Sequence, residues 1–166
     1  MLFEEKNFVV DILSIDDLLE VTNIYNSNKN FLKYHMDKES ITYDWLLENV
    51  NEMKVANFLP CKIVDKFSNK ILGILYFKIS KETYLSLLMF HKDYTYKGLG
   101  TIVFKSFEKY LKSDGKCNCI SVDVITSYPN NTLNFWIKNG FIPLKNIELD
   151  WNEGPLSATL LKKDIK

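Results

Sequence analysis

The stretch Phe90-His-Lys-Asp-Tyr-Thr-Tyr-Lys-Gly-Leu-Gly-Thr101 combines residue types that can hold a phosphate. An apolar run ends at Phe90, and a helix-patterned segment opens at Gly98, with Gly98 and Gly100 two residues apart. A strand that feeds a helix through such a turn leaves backbone N–H groups unpaired at the helix N-terminus. Those donors and the positive end of the helix dipole attract phosphate groups. Glycine there keeps a Cβ out of the anion's path. A tight turn with no ligand has the same local pattern, so a second signal is needed to separate the two.

The second signal is Phe135-Trp-Ile-Lys-Asn-Gly-Phe141, downstream of the glycine turn. Taken together, the two segments resemble the GNAT N-acetyltransferase superfamily. The family loop runs Gln/Arg-x-x-Gly-x-Gly/Ala, and this chain has Thr95-Tyr-Lys-Gly98-Leu-Gly100. Both late positions match, and Thr95 replaces the first. The later family motif, an aromatic followed by x-x-x-Gly-Phe, stands as Trp136-Ile-Lys-Asn-Gly140-Phe141. The family often has tyrosine where Trp136 sits, and tryptophan has no comparable proton to give.

The resemblance implies an acyl-CoA cofactor, most simply acetyl-CoA. Its pyrophosphate would rest on the N–H groups of Tyr96, Lys97, Gly98, Leu99, Gly100 and Thr101. Thr95 would add a hydrogen bond and Lys97 a charge. The pantetheine arm would follow the open edge of the strand ending Leu88-Met-Phe90, with Trp136 on the cofactor side of the later helix. The family asparagine that opens that helix aligns with Pro129, so Asn130 or Asn131 would take its place.

The implied chemistry is direct attack of a substrate amine on the thioester in a ternary complex. An alkyl ammonium has a pKa near ~10 and must first lose a proton. By the resemblance, Tyr84 aligns approximately with a glutamate used as base in some family members. Glu82, two residues earlier on the same strand face, is the first candidate base, with Asp123, Glu39 and His91 behind it. A solvated strand-end carboxylate is the plain alternative for Glu82, and a water chain with no dedicated base is another route. The leaving thiolate, with a parent pKa near ~8.5, needs little acid help. Tyr128 is the candidate acid, with Tyr96 as the other choice.

Elements must position these groups. Phe8-Val-Val-Asp-Ile-Leu13 reads as a strand and Leu18–Tyr25 as a helix capped from Ser14–Asp17. Asn26–Asn30 reads as a polar break. Ser40 opens a second helix carrying Tyr43, Trp45, Leu46, Leu47 and Val50, mostly core, with some side chains left to line an acceptor groove. Phe58–Val64 and Ile71–Ile79 form a hairpin, and Tyr84–Phe90 a third strand buried on both faces. Helical spacing from Leu99 ends at Asp114-Gly115. Cys119–Ile125 is a strand, Thr132–Asn139 a short helix, and Phe141–Asp150 with Leu156–Leu161 a final hairpin across Asn152–Pro155. The expected fold class is α/β (α+β mixed sheet), in the order β-α-α-β-β-β-α-β-α-β-β, with helices on both faces.

The 166 residues form a single domain, 1–166, with no repeat or linker pattern. Lys+Arg and Asp+Glu are both 21, every strong cation being lysine, so no basic footprint for nucleic acid emerges. No long apolar span predicts a membrane segment, and a soluble cytoplasmic protein is expected. Three cysteines make an odd count, against a disulfide framework. Cys117-Asn-Cys119 with only two histidines in the chain gives no metal set; buried thiols fit better. The acceptor would be a small-molecule or peptide amine, and Asp37, Glu39, Asp44 and Glu48 lean toward a cationic one. The C-terminal strands leave room for a homodimer. A non-catalytic acyl-CoA-binding module of the same fold is the alternative function, and a tRNA-borne amine a third.

Overall fold

Ile71–Lys78 carries apolar side chains on both faces and is buried along almost its whole length. A strand of that kind lies inside a sheet covered on both sides. The computed structural model describes residues 1–150 and 154–166 and places this strand fourth in the chain. The elements are β1 (Phe3–Glu4), β2 (Phe8–Ile12), α1 (Leu18–Ser27), α2 (Lys29–Met36), α3 (Tyr43–Val55), β3 (Leu59–Asp65) and β4 (Ile71–Lys78). They continue as β5 (Glu82–Phe90), α4 (Leu99–Asp114), β6 (Cys119–Ile125), α5 (Leu133–Lys138), β7 (Ile142–Asp150) and β8 (Pro155–Asp164).

One eight-stranded sheet runs β1-β2-β3-β4-β5-β6-β8-β7. Among the described residues only β5 and β6 pair in parallel, and every other neighbouring pair is antiparallel. Phe77, Leu85, Val103, Phe104, Phe107 and Val122 belong to the core between the sheet and α4–α5. Leu18, Ile24, Leu46, Val50, Ile74 and Tyr76 belong to the core on the other face, under α1–α3. Burial of this kind supplies roughly 1.5–3 kcal/mol for each large apolar side chain.

The mixed sheet and its two helical layers agree with the sequence reading, but three local features differ. A short β1 precedes β2, pairing Phe3 with Val10. The polar break shrinks to Asn28, and α2 starts at Lys29 because Leu32 anchors it with 0% exposure. The cap of α3 is Thr42, whose hydroxyl accepts from the Trp45 N–H at 3.2 Å, not Ser40. The tight part of the last hairpin, Asn152 and Glu153, lies outside the described residues. Among the described residues no helix is long and apolar enough to cross a membrane. Cys61, Cys117 and Cys119 are free thiols, and the Cys117 Sγ donates to the Cys119 carbonyl at 3.1 Å.

Gly73 sets the approach of β4 to the end of β5. A Cβ there would lie 2.5 Å from the Met89 carbonyl oxygen and 2.7 Å from the Phe90 ring. Gly73→Ala should therefore destabilise the domain by about 1–3 kcal/mol through overpacking. Urea unfolding measures this as a lower midpoint with an unchanged slope.

Candidate functional site

The glycine turn folds as a strand-to-helix junction. Phe90 ends β5, Lys92–Tyr94 makes one tight turn, and α4 starts at Leu99. Gly98 stands at the N-cap with φ +75°, in the left-handed region, and no atom comes within 4 Å of where its Cβ would be. Tyr96 is also left-handed, at φ 60°, with its ring fully in solvent. These turns leave the N–H groups of residues 96–101 without a protein acceptor among the described residues. The first pairing N–H is that of Ile102, to the Gly98 carbonyl. The run of free donors heads a 16-residue helix, which fits it for a pyrophosphate.

Gly100 has a different role. Its Cβ would lie 3.3 Å from the Phe135 ring, so its smallness seats α4 against α5. Thr95 is committed as well: its hydroxyl donates to the Lys92 carbonyl at 2.7 Å, shaping the loop instead of facing a ligand. Lys97 holds its ammonium 5.9 Å from the Tyr94 ring centroid, at the outer rim of the turn.

Ser27, the last residue of α1, and Asn28, its C-cap, hold this loop, with no signal in their types alone. The Asn28 amide donates to the Phe90 carbonyl and to the Ile24 carbonyl, each at 2.8 Å. The Ser27 hydroxyl accepts from the Lys92 N–H at 3.1 Å. Asn28 thus ends α1 and pins the end of β5, across 62 positions of sequence. Only the tertiary fold brings them together.

β5 and β6 pair at Glu82–Cys119, Thr83–Ile120 and Tyr84–Ser121, and then separate. Directly after Tyr84, β5 carries a bulge: Leu85 faces Phe77 and Leu87 faces Tyr76, leaving Ser86 extra. Ser86, Leu87 and Leu88 are consequently half-buried, not covered on both faces as the apolar run predicts. Along the Leu88–Phe90 edge, where the Phe90 carbonyl already accepts from Asn28, the remaining backbone groups can pair with an extended amide chain such as a pantetheine arm.

On the α1–α3 face, the Tyr84 hydroxyl donates to Asp123 Oδ2 at 3.1 Å. Burial raises the Asp123 pKa above its ordinary 3.8, and the Tyr84 hydrogen bond partly offsets this. The Tyr84 ring leans edge-on against Phe58 at 6.1 Å. Beyond the end of β6, Tyr128 stacks on Tyr34 of α2, with centroids 4.7 Å apart and planes 5° apart. Its hydroxyl lies 3.0 Å from His35 Nε2. Burial lowers the His35 pKa to about 4, so the imidazole is neutral at pH 7, and burial also raises that of Tyr128.

The structure does not bring every expected site residue to this cleft. Glu82 sits at the closed end of β5, eight residues or roughly 25 Å from Phe90. Its carboxylate binds the Lys162 ammonium at 2.6 Å, and that hydrogen bond lowers its pKa. Both facts oppose a base at the thioester. Trp136 is 7% exposed and packs among Phe104, Phe135 and Phe141, a core side chain of α5. Asn131 uses its side chain locally, accepting from the Leu133 N–H at 3.0 Å and donating to the Tyr128 carbonyl at 3.1 Å. Asn130 is exposed in a left-handed turn at φ 58°. Asp37, Glu39, Asp44 and Glu48 are all exposed.

Residues 18–141 match the family described as Acetyltransferase (GNAT) family. No curated protein matches the chain by sequence. An acetyltransferase from Thermus thermophilus superposes with a TM-score of 0.78 at 16% identity, covering 95% of this chain and 97% of its own. Spermidine N-acetyltransferase from Vibrio cholerae, in complex with CoA and spermine, gives 0.76 at 14% identity, covering 96% of each chain. An acetyl transferase from Salmonella typhimurium that modifies the N-terminal serine of a 50S ribosomal subunit protein gives 0.81 at 10% identity, covering 98% and 97%.

Two outcomes follow from this geometry. Gly98→Val forces a β-branched residue into the left-handed region, so it should cost about 1–2 kcal/mol of stability and cut CoA affinity at least tenfold in protein that still folds. Titration calorimetry with acetyl-CoA measures it. His35 has a folded pKa below its unfolded 6.5, so the stability from its neutral state is full above 6.5 and lost as pH falls toward 4. In His35→Gln, denaturant unfolding between those pH values should lose that slope.

Proposed function

The chain belongs to the acetyltransferase (GNAT) family, and we propose how its own residues carry acetyl transfer from acetyl-CoA to a primary amine. The observation that carries the assignment is the run of free N–H groups at residues 96–101, set beside the open edge of β5. Those donors would hold the pyrophosphate, with Lys97 adding charge at the rim. The Leu88–Phe90 edge would hold the pantetheine amides, and Phe90 with Phe135 would flank the arm. Bound acetyl-CoA supplies the activated thioester carbonyl.

Positioning is the chain's main contribution, and it is worth several kcal/mol when reacting groups are held in line. The bulge at Ser86 turns the backbone where β6 departs, which frees N–H groups of β5 to polarise a carbonyl in the cleft. Tyr128 serves as the proton donor to the departing thiolate. In the tautomer with the proton on Nε2, neutral His35 donates to the phenol oxygen and leaves the phenol proton free to transfer. Tyr34 holds the ring flat through stacking.

The acceptor enters from the α1–α3 face, between α2, the segment after β6 and the Tyr84–Asp123 pair. The half-buried carboxylate of Asp123 favours a cationic amine there. Pairing with a second copy would use β7, a sheet edge that exposes Ile142 and Leu144. Three free thiols fit a cytoplasmic location.

A thiol-release assay with acetyl-CoA and an amine panel tests the reaction. Turnover above the amine-free rate is the expected result. Tyr128→Phe should lower kcat by no more than about tenfold, since the thiol is a good leaving group. Its effect should grow below pH 8, where the thiolate needs its proton most.

A further inference from the structure

We propose that Asp123, held by Tyr84, is the group that takes the proton from the acceptor ammonium, so that the base stands on β6. The inference rests on the acetyl-transfer reading above and names a residue which that reading leaves open. Position is the first argument. Asp123 lies two residues past Ser121, the last residue of β6 paired with β5, and so stands where the two strands part. Tyr84 and Ser121 are directly paired, and Asp123 follows Ser121 on the same face by the two-residue period of a strand. That is the face covered by α1–α3.

Partners are the second argument. Asp123 is half-buried, so one side of its carboxylate remains open to the cleft. It has one phenol, on Oδ2. Among the described residues Oδ1 has no hydrogen-bond donor, and no lysine or histidine comes within ion-pair distance. The nearby charged groups on the same sheet face are otherwise committed or distant by register: Lys78 of β4, paired with Tyr84, is exposed and holds its ammonium over the Phe58 ring, 5.7 Å from the centroid. Glu82 on β5 and Lys162 on β8 bind each other at 2.6 Å. Lys145 on β7 is exposed and separated from Asp123 by Leu160 of β8. On α2, His35 is neutral and pairs with Tyr128. A carboxylate left with one oxygen free at the mouth of the splay is arranged to receive an ammonium.

The step balances. An N–H bond of the ammonium breaks and an O–H bond forms on Asp123, leaving the electron pair on nitrogen. That pair forms the C–N bond to the acetyl carbon, and the C–S pair leaves on sulfur. The nitrogen loses its second proton to solvent, sulfur gains one through Tyr128, and Asp123 returns its own to solvent. The net change is one acetamide, one thiol and one released proton. Tyr84 acts as a positioning residue: it fixes the carboxylate and stabilises its charged form.

The test uses the full chain, with a readout that needs no turnover. A carbon-13 titration of the Asp123 carboxyl in the free protein should place it above the ordinary 3.8. Tyr84→Phe removes the hydrogen bond that lowers this pKa, so the titration should move further up. With spermidine and an N-terminal seryl peptide as probe amines, Asp123→Asn should lose about 100-fold in kcat. Its affinity for CoA should stay within about twofold of wild type. The acidic limb of kcat/KM should move to higher pH in Tyr84→Phe. An Asp123 carboxyl that titrates at or below 3.8, or a folded Asp123→Asn protein with wild-type kcat, overturns the proposal alone. Absence of CoA binding by the wild-type chain overturns the acetyl-transfer reading, and this proposal with it.

Discussion

The separation of β6 from β5 after the Tyr84–Ser121 pair is the constraint on which the rest of the structure depends. An unpaired strand edge inside a sheet leaves N–H and C=O groups without partners, which costs stability unless something else satisfies them. Here the bulge at Ser86 concentrates the break at one point. The sheet closes again through β8, which pairs along the whole of β6 from Cys119 to Ile125. The opening is thus a wedge within an otherwise continuous sheet. The wedge lies between the glycine turn on one side and the aromatic and acidic cluster on the other.

The wedge keeps its shape because its rims are tied to opposite helical layers. On one side α4 and α5 pack through Gly100 and Phe135. On the other, Asn28 and Ser27 bind the Phe90 carbonyl and the Lys92 N–H. The glycine loop is therefore fastened by side chains at the C-terminal end of α1, on the far face of the sheet. The left-handed backbone of Tyr96 and Gly98 is the local cost of presenting consecutive N–H groups outward. The Tyr34–Tyr128–His35 cluster clamps the segment after β6 in the same manner, with a stack and a hydrogen bond across 93 positions of sequence.

Much of this was legible in the chain. The apolar run into Phe90, the glycine spacing and the periodicity of Leu99–Leu111 located the junction, since the period changes from two to about 3.6 residues there. What the sequence hid was pairing across long separations. Asn28 looked like part of a polar break, yet its amide is spent on β5. Thr95 and Asn131 carried the right groups for ligands, but each satisfies a neighbouring backbone group first, as short polar side chains do. Trp136 matched a motif position and yet is core, because Phe104 and Phe141 close around it. Glu82 shared a strand face with Tyr84, but strand parity says nothing about a lysine arriving from β8. The helix α2 was missed because its only fully buried anchor, Leu32, gives no periodic stripe.

The most direct test of the account is an amide chemical-shift map of the labelled protein on addition of acetyl-CoA, with ATP as control. The account predicts the largest changes at residues 96–101 and along the Leu88–Phe90 edge, with ATP perturbing at most the first group. Saturable changes confined to other surfaces, or none at the 96–101 amides, would contradict it.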